Sequence, residues 1–324
     1  MECTEKAKLN TAGAVDTTPR HRNPLILEIK GNSLDDGPGI RSVVFFKGCP
    51  LSCRWCHNPE SKSTGPGISH DAAECIDCGA CVKACPERAI SKKNRYFIDR
   101  DKCTLCYSCV ATCPSGALSQ VGNAMTVDDI IEVVSKDIPF YNTSGGGVTL
   151  SGGEPTMHME FTAQLARSLK ELNIHLLIET CGLFVYEKYM DMLAPFIDMI
   201  YFDIKLFDSV EHKKHCGADN AIILENFGRL HKNYQAGGTR ILPRTPLIPG
   251  ITDTRDNLTA IADYLSSLGV TKAALLEYNP LWGVKCEKIG EENPLGPEAQ
   301  GRKWMDRDHV EQCRSIFRDR GIEV

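Results

Sequence analysis

A chain of 324 residues with 42% hydrophobic residues, 24% charged residues and a formal net charge of -5 is long enough for one barrel-sized α/β domain or two smaller units. Its mildly acidic balance argues against nucleic acid or an anionic membrane as the main partner, and no apolar run approaches the roughly 18 residues of a membrane span. Residues 1–23 are polar and lack the apolar centre of a secretion signal, so the sequence predicts a cytoplasmic protein.

In chain order, residues 1–24 show no periodicity and are expected as a mobile tail. A short strand follows over 25–29, then a Gly/Pro turn over 35–39, then a β-branched and aromatic run over 41–47 that reads as a strand. That strand empties through Gly48 into Cys49, Cys53 and Cys56, spaced C-x3-C-x2-C. Iron–sulfur clusters are normally held by four thiolates, so three cysteines on one loop leave one iron open to something that is not protein. A structural zinc loop or three buried thiols are the weaker alternatives: zinc wants four protein ligands, and only His57, abutting Cys56, lies near.

Residues 65–121 are turn-rich and cysteine-dense, in two related halves. Cys75, Cys78, Cys81 and Cys85 precede Pro86 with the same spacing as Cys103, Cys106, Cys109 and Cys113 before Pro114. This repeat resembles bacterial ferredoxins, in which the fourth cysteine of each run crosses to the other cluster. It implies one [4Fe–4S] cluster on Cys75, Cys78, Cys81 and Cys113 and another on Cys103, Cys106, Cys109 and Cys85. Two zinc knuckles are the alternative. The clusters would replace a core that so short an insert cannot build. Of the 16 cysteines, Cys3, Cys181, Cys216, Cys286 and Cys313 are scattered and read as ordinary thiols.

Past residue 121 strands and helices alternate. Helices are expected over 126–136, 161–172, 187–193, 221–234, 256–268 and 306–318; strands over 148–150, 174–178, 199–202, 239–242 and 273–276; and a flexible glycine joint over 144–147. Regular βα alternation implies parallel strands with right-handed crossovers. With 43–46 there are six such strands, predicting a partial (β/α)6 TIM-like barrel over 25–64 and 122–324, with the ferredoxin-like insert at 65–121. The polar ends of these strands carry the candidate site: the three cysteines, then Ser151-Gly152-Gly153-Glu154-Pro155, Glu179-Thr180, Asp203-Ile204-Lys205, Arg244 and Glu277-Tyr278-Asn279.

The cysteine loop and its flanks, Asp36-Gly37-Pro38-Gly39-Ile40-Arg41 before it and Trp55-Cys56-His57-Asn58-Pro59-Glu60 within and after it, resemble the radical S-adenosylmethionine (radical SAM) proteins that activate glycyl-radical enzymes. The likeness runs from about residue 25 nearly to the end. It implies that the open iron takes the amine and carboxylate of S-adenosylmethionine, that Gly152, Gly153 and Glu154 form the motif at the cofactor's amino group, and that Lys205 contacts its carboxylate. Gly152 and Gly153 let backbone approach a ligand, and Glu154 offers a carboxylate to a cation. Asp203, Glu179 and Thr180 correspond to positions around a monovalent cation, with Glu179 where relatives carry Asp. Arg244 resembles a ribose and carboxylate contact, with a rim ion pair as the alternative. Trp55 flanks the adenine or packs in the core. Asp36 resembles a position near the entry of the partner's glycyl loop. The stretch 278–285 resembles a family segment, except that Trp282 stands where glycine is usual.

The expected activity is reductive cleavage of S-adenosylmethionine to a 5′-deoxyadenosyl radical that takes a hydrogen atom from a glycine of a partner glycyl-radical enzyme. The absence of an acid/base dyad suits this, since the cofactor carries the hard chemistry. Three [4Fe–4S] clusters are expected, the auxiliary two relaying electrons from a ferredoxin or flavodoxin or serving as structural or docking elements, in a monomeric activator of an oxygen-poor cell. Two rival readings are a radical SAM enzyme acting directly on a small metabolite or peptide, and a ferredoxin-like electron carrier. The carrier explains the insert but not the open iron or the strand-end residues.

Overall fold

The computed structural model describes residues 23–235, 237, 239–296 and 303–324. The expected tail, up to residue 22, and Cys3 lie outside the described residues.

One eight-stranded sheet organises the chain, in the order β10-β9-β8-β7-β6-β2-β1-β5. β1 (Leu25–Ser33) and the short β5 (Asn123–Ala124) are antiparallel additions at one side. β2 (Arg41–Phe46), β6 (Gly147–Gly152), β7 (His175–Thr180), β8 (Met199–Asp203), β9 (Arg240–Pro246) and β10 (Ala274–Leu276) are the six parallel strands. This is an α/β fold with a mostly parallel sheet whose two edges differ, as a partial barrel requires. Between β2 and β6 lies a separate two-stranded sheet of β3 (Gly67–His70) and β4 (Leu118–Val121), with the short helices α1 (Ala80–Ala84) and α2 (Ser108–Ala111) between them.

The helices that follow are α3 (Val127–Val134), α4 (Ile138–Ser144), α5 (Met159–Glu171), α6 (Tyr186–Met192), α7 (Ser209–Cys216), α8 (Ala221–Tyr234), α9 (Arg255–Ser267), α10 (Gly283–Ile289) and α11 (Arg307–Arg318). Side chains alternate across each strand. Val148 and Leu150, with Leu176 and Ile178, face the helices and join Leu165 and Leu169 of α5 in the main apolar core. The opposite face carries Thr149, Ser151, Glu179 and Arg244, which bond to one another or to Arg41 and Asp36. Both faces are therefore covered, as parallel sheets require.

Besides the short α1 and α2, three helices after the insert escaped the sequence reading. α4 is short and contains Pro139; α7 is polar, and α10 follows the 3-10 turn Pro280–Trp282. None shows a clean apolar stripe. The joint at 144–147 is a packed contact rather than a flexible one: a Cβ on Gly146 would lie 1.8 Å from the Ile40 carbonyl oxygen. Glycine is needed there because two backbones touch.

The floor of the interior is held by Arg41, which is fully buried. Its guanidinium donates to Thr149 Oγ1 (2.6 Å), the Val148 carbonyl (2.6 Å) and the Pro38 carbonyl (3.2 Å). Burial pushes it down to about 10 despite nearby Tyr201 and Asp36. The Asp36 turn folds under this end, its carbonyl accepting from Thr149 Oγ1 at 2.7 Å. The cysteine loop leaves the other end of β2.

Candidate active site

The loop after β2 is fastened by backbone. Gly48 N donates to the Ser61 carbonyl (2.6 Å), Cys49 N to that of Lys62 (3.2 Å), Ser52 N to that of Cys216 (2.8 Å) and Arg54 N to that of His215 (3.0 Å). Cys53 is buried, and Cys49 and Cys56 are half-buried. Burial, reinforced by Cys53, pushes the Cys56 thiol up to about 12, so a bound cation would be needed to keep all three as thiolates. No three His, Cys, Asp or Glu side chains among the described residues converge as on a single metal ion. The donor set, three thiols spread over one loop, suits the corners of a polynuclear cluster rather than zinc.

Opposite the cysteines lies a neutral four-charge network. Arg244 donates to Glu179 Oε1 at 2.6 Å and to Asp203 Oδ1 at 2.9–3.0 Å; Lys205 Nζ sits 2.9 Å from Asp203 Oδ2. Burial alone would lower Lys205, but Asp203, Cys53 and Cys181 outweigh it and hold the ammonium above the ordinary lysine value. Burial would likewise raise Asp203; Arg244 and Lys205 reverse this and depress it. Lys205 thus faces both the carboxylate rim and the cysteine loop. The Arg244 guanidinium also lies over the Tyr201 ring, 4.8 Å from its centroid.

Several expectations change. Glu154 is 1% exposed and its carboxylate is fully engaged: Oε1 accepts from Thr156 N, Thr156 Oγ1 and Thr180 Oγ1, and Oε2 from Cys181 N at 2.7 Å. It fastens strand ends together instead of offering itself to a cation. Gly152 and Gly153 are required by backbone: Cβ atoms there would lie 2.4 Å from Phe46 N and 2.1 Å from the Gly48 carbonyl oxygen. The residues do not fit a monovalent cation either. Glu179 is taken by Arg244 and Ser151, Asp203 by Arg244 and Lys205, and Thr180 Oγ1 by Glu154. Trp55 is 3% exposed and packs in the apolar cluster around the loop. Trp282 is buried too, its indole N–H donating to Tyr278 Oη at 2.6 Å, which accounts for the bulky residue in that segment. Glu277 turns outward to Arg314 at 3.0 Å and does not join the site, and Asn279 caps the following turn.

Residues near the loop that the sequence reading left as ordinary thiols are Cys181 and Cys216, both buried in the apolar cluster that holds Cys53 and against which Cys49 packs. For Cys181 a signal existed, since it directly follows the strand-end pair Glu179-Thr180. For Cys216, at the end of the unforeseen α7, there was none.

In the insert, Cys75, Cys78, Cys81 and Cys113 line one hollow, and Cys85, Cys103, Cys106 and Cys109 line a second. The backbone repeats as the cysteines do. Left-handed conformations recur at Asp77 and Leu105, at Gly79 and Tyr107, and at Arg88 and Gly116, each pair offset as Cys75 is from Cys103. Ile68, Ile90, Ile98 and Leu118 supply the small apolar cluster around them.

Residues 100–261 match the Radical SAM superfamily, residues 35–87, which include the three-cysteine loop, match the 4Fe-4S single cluster domain, and residues 74–117 match the 4Fe-4S dicluster domain. The fold is shared with a radical SAM methyltransferase from Sphaerobacter thermophilus, with a TM-score of 0.51 and 14% identity over 93% of this chain and 76% of that one. The chain is a radical SAM protein. More narrowly, it is 39% identical over 296 residues to the isethionate sulfite-lyase activating enzyme of Nitratidesulfovibrio vulgaris, covering 89% of this chain and 94% of that protein. It is equally similar, 39% over 299 residues, to the trans-4-hydroxy-L-proline dehydratase activating enzyme of Clostridioides difficile, covering 91% and 96%. The chain belongs to the glycyl-radical enzyme activating enzymes. Among the described residues no helix is long and apolar enough to cross a membrane.

Proposed function

We propose that Cys49, Cys53 and Cys56 ligate a [4Fe–4S] cluster with one open iron, and that this chain uses it to activate a separate glycyl-radical enzyme. The observation that carries the reading is the position of the three-cysteine loop at the carboxyl end of β2, facing the buried rim of Lys205, Asp203, Arg244 and Glu179. When bound, the cluster and S-adenosylmethionine supply a 5′-deoxyadenosyl radical, which takes a hydrogen atom from a glycine Cα of the partner.

The chain's residues bind and orient. Lys205, held charged by its surroundings, meets the cofactor carboxylate, a charge-assisted contact in a site poor in water. Arg244 reaches toward ribose or carboxylate from its anchorage on Asp203 and Glu179. The Gly152-Gly153 backbone lies against Gly48, beside Cys49, where its polar groups meet the cofactor's amine. Glu154 supports that backbone from behind. Trp55 shapes the wall by packing.

The insert, residues 65–121, is proposed as a ferredoxin-like unit holding two further [4Fe–4S] clusters, three in all. Support comes from the two four-cysteine hollows and the dicluster match. It is proposed to relay electrons from a ferredoxin or flavodoxin to the open cluster, within a monomeric activator whose barrel comprises 25–64 and 122–324. Relatives named for unlike lyases and dehydratases are equally similar, so the shared segments specify activation chemistry rather than the partner's reaction.

The test is anaerobic reconstitution, reduction and addition of S-adenosylmethionine with a candidate glycyl-radical enzyme from the neighbouring reading frame. Methionine and 5′-deoxyadenosine should form, with a glycine-centred radical signal in the partner. Cleavage in proportion to a small substrate, without a protein radical, overturns the activase reading.

A further inference from the structure

The two halves of the insert repeat in cysteines and in backbone, yet they part at two wall positions. The first hollow is lined by His70 and Gly79; at the matching places, offset as Cys75 is from Cys103, the second is lined by Ile98 and Tyr107. Each hollow therefore has one polar ring, an imidazole in the first and a phenol in the second. His70 Nε2 and Tyr107 Oη are both buried, and neither has a hydrogen-bond partner among the described residues. A buried polar atom left unmet is destabilising, so each needs an acceptor that the described residues do not supply.

The backbone holds both rings in place against local preference. Tyr107 precedes α2 at φ +58, where Gly79 precedes α1 at φ +70. Glycine adopts this left-handed conformation freely, and a tyrosine in it is strained. His70, in β3, stacks on Phe97 with ring centroids 4.0 Å apart and planes at 18°. Phe97 is itself left-handed, φ +65, whereas its match Ser69 lies in the regular strand β3. A turn fixes Phe97, with Ser91 N and Asn94 Nδ2 donating to its carbonyl at 2.9 and 3.3 Å. Bulky residues persist in such conformations where the surroundings over-determine them, and they gather at working sites.

We propose that His70 Nε2 and Tyr107 Oη donate hydrogen bonds to cluster sulfurs, His70 in the first hollow and Tyr107 in the second, and that each raises the reduction potential of its own cluster. This rests on the reading that the insert holds two [4Fe–4S] clusters. A cubane presents thiolate and sulfide sulfurs, all of them acceptors; a phenol offers its O–H, and a neutral imidazole offers one N–H in the tautomer protonated at Nε2. Reduction adds negative charge that spreads onto the sulfurs, and hydrogen bonds there stabilise the reduced form more than the oxidised one. The repeat thus builds two equal cradles and makes their clusters unequal with one unlike donor each.

The experiment is an EPR-monitored redox titration of the reconstituted full chain carrying Cys49→Ala, Cys53→Ala and Cys56→Ala, so that only the insert's iron contributes. His70→Ile, which copies the matching residue of the other half, should move half of the signal to a more negative potential, lowering its reduced-to-oxidised ratio at a fixed potential about threefold to tenfold. Tyr107→Phe should move the other half by a similar factor, and the double variant should move all of it. His70→Gln, which keeps an N–H, should restore most of the first shift. Tyr96→Phe removes a hydroxyl outside both hollows and should move neither half. If His70→Ile does not load iron, His70→Phe, which keeps a ring against Phe97, must give the same shift. An unmoved potential in either donor-free variant, both variants moving the same half, or an equal shift in Tyr96→Phe overturns the proposal. A triple-alanine parent that binds iron for fewer than two cubanes overturns the cluster reading itself.

Discussion

The insert and the barrel rim both gather cysteines, in opposite ways. In the insert, eight cysteines form two complete sets of four around hollows walled by a handful of apolar residues. At the rim three cysteines stand on one loop, backed by a large prebuilt core and faced by two ion-paired cations and two carboxylates. Under the proposed function, a complete set would hold a cluster that passes electrons or holds its own fold together. An incomplete set on a scaffold that stands without it would be the reaction site. The insert's sequence is therefore nearly all ligand and turn, whereas the rim's is spread over the ends of five strands, β2 and β6 to β9.

The sharpest way to break this contrast is to remove one cysteine from each. Cys53→Ala should abolish S-adenosylmethionine cleavage while leaving the insert's iron in place. Cys106→Ala should lose insert iron and part of the rate, with cleavage retained under a strong small-molecule reductant. Iron content and 5′-deoxyadenosine formation measure both, and equal residual cleavage in the two variants would erase the distinction. Next in size is Lys205→Met, which removes the proposed carboxylate contact and leaves Asp203 with Arg244 alone. Losing one charge-assisted contact of about 1.5–3 kcal/mol should weaken S-adenosylmethionine binding about tenfold or more, measured by the ligand's effect on the cluster signal. The melting temperature of the insert should not follow.

Glu154→Gln separates support from binding. Its carboxylate accepts from four donors, and an amide nitrogen in place of Oε2 would face the Cys181 N–H with no acceptor. Leaving that buried donor unmet costs about 1–3 kcal/mol, seen as a melting temperature lower by several degrees. Iron content of the insert should be unchanged. A carboxylate that served a cation in the cleft would instead give a cation-dependent activity loss with no thermal shift.

Much of this was legible because the relevant signals are local. The C-x3-C-x2-C triplet, the doubled ferredoxin spacing and the apolar runs of β6 to β8 each sit within a few residues. The helix 221–234 is found where its apolar spacing put it. What escaped reading depends on contacts between distant segments. That Glu154 is consumed by Thr156, Thr180 and Cys181, that Gly152 and Gly153 yield to β2 and Gly48 rather than to a ligand alone, and that Cys216 shares an apolar cluster with Cys53 all follow from packing of elements far apart in the chain. α7 and α10 were missed because polar helices that lie on a surface carry weak periodicity. Arg41 reads as an ordinary charged end of a motif, yet it is buried among carbonyl and hydroxyl acceptors inside the sheet.

The smallest expected effect tests whether the two regions work together. α10 and the residues after it reach both: Lys285 Nζ lies 2.9 Å from Asn58 Oδ1 beside the cysteine loop, Arg54 donates to the Pro294 carbonyl at 2.8 Å, Lys288 pairs with Asp71 at 2.5 Å, and Arg95 pairs with Glu292. Arg100 of the insert donates to the Lys288 carbonyl at 3.4 Å and lies over Gly290, where a Cβ would come 1.9 Å from its Nη1. Gly290 is left-handed, φ +76, so Gly290→Ala adds about 1 kcal/mol of backbone strain and pushes the Arg100 side chain aside. That side chain is flexible at its tip, so the fold should survive. If the insert relays electrons, the loosened contact should slow cleavage about twofold when a ferredoxin or flavodoxin is the donor, because electron transfer is sensitive to how the two regions are held. Dithionite is a small reductant that needs no docking surface on the insert, and cleavage with it should be unchanged. An equal loss with both donors would place the effect on the cysteine loop itself, through Lys285 and Arg54, and the insert would then be a structural unit and not a relay.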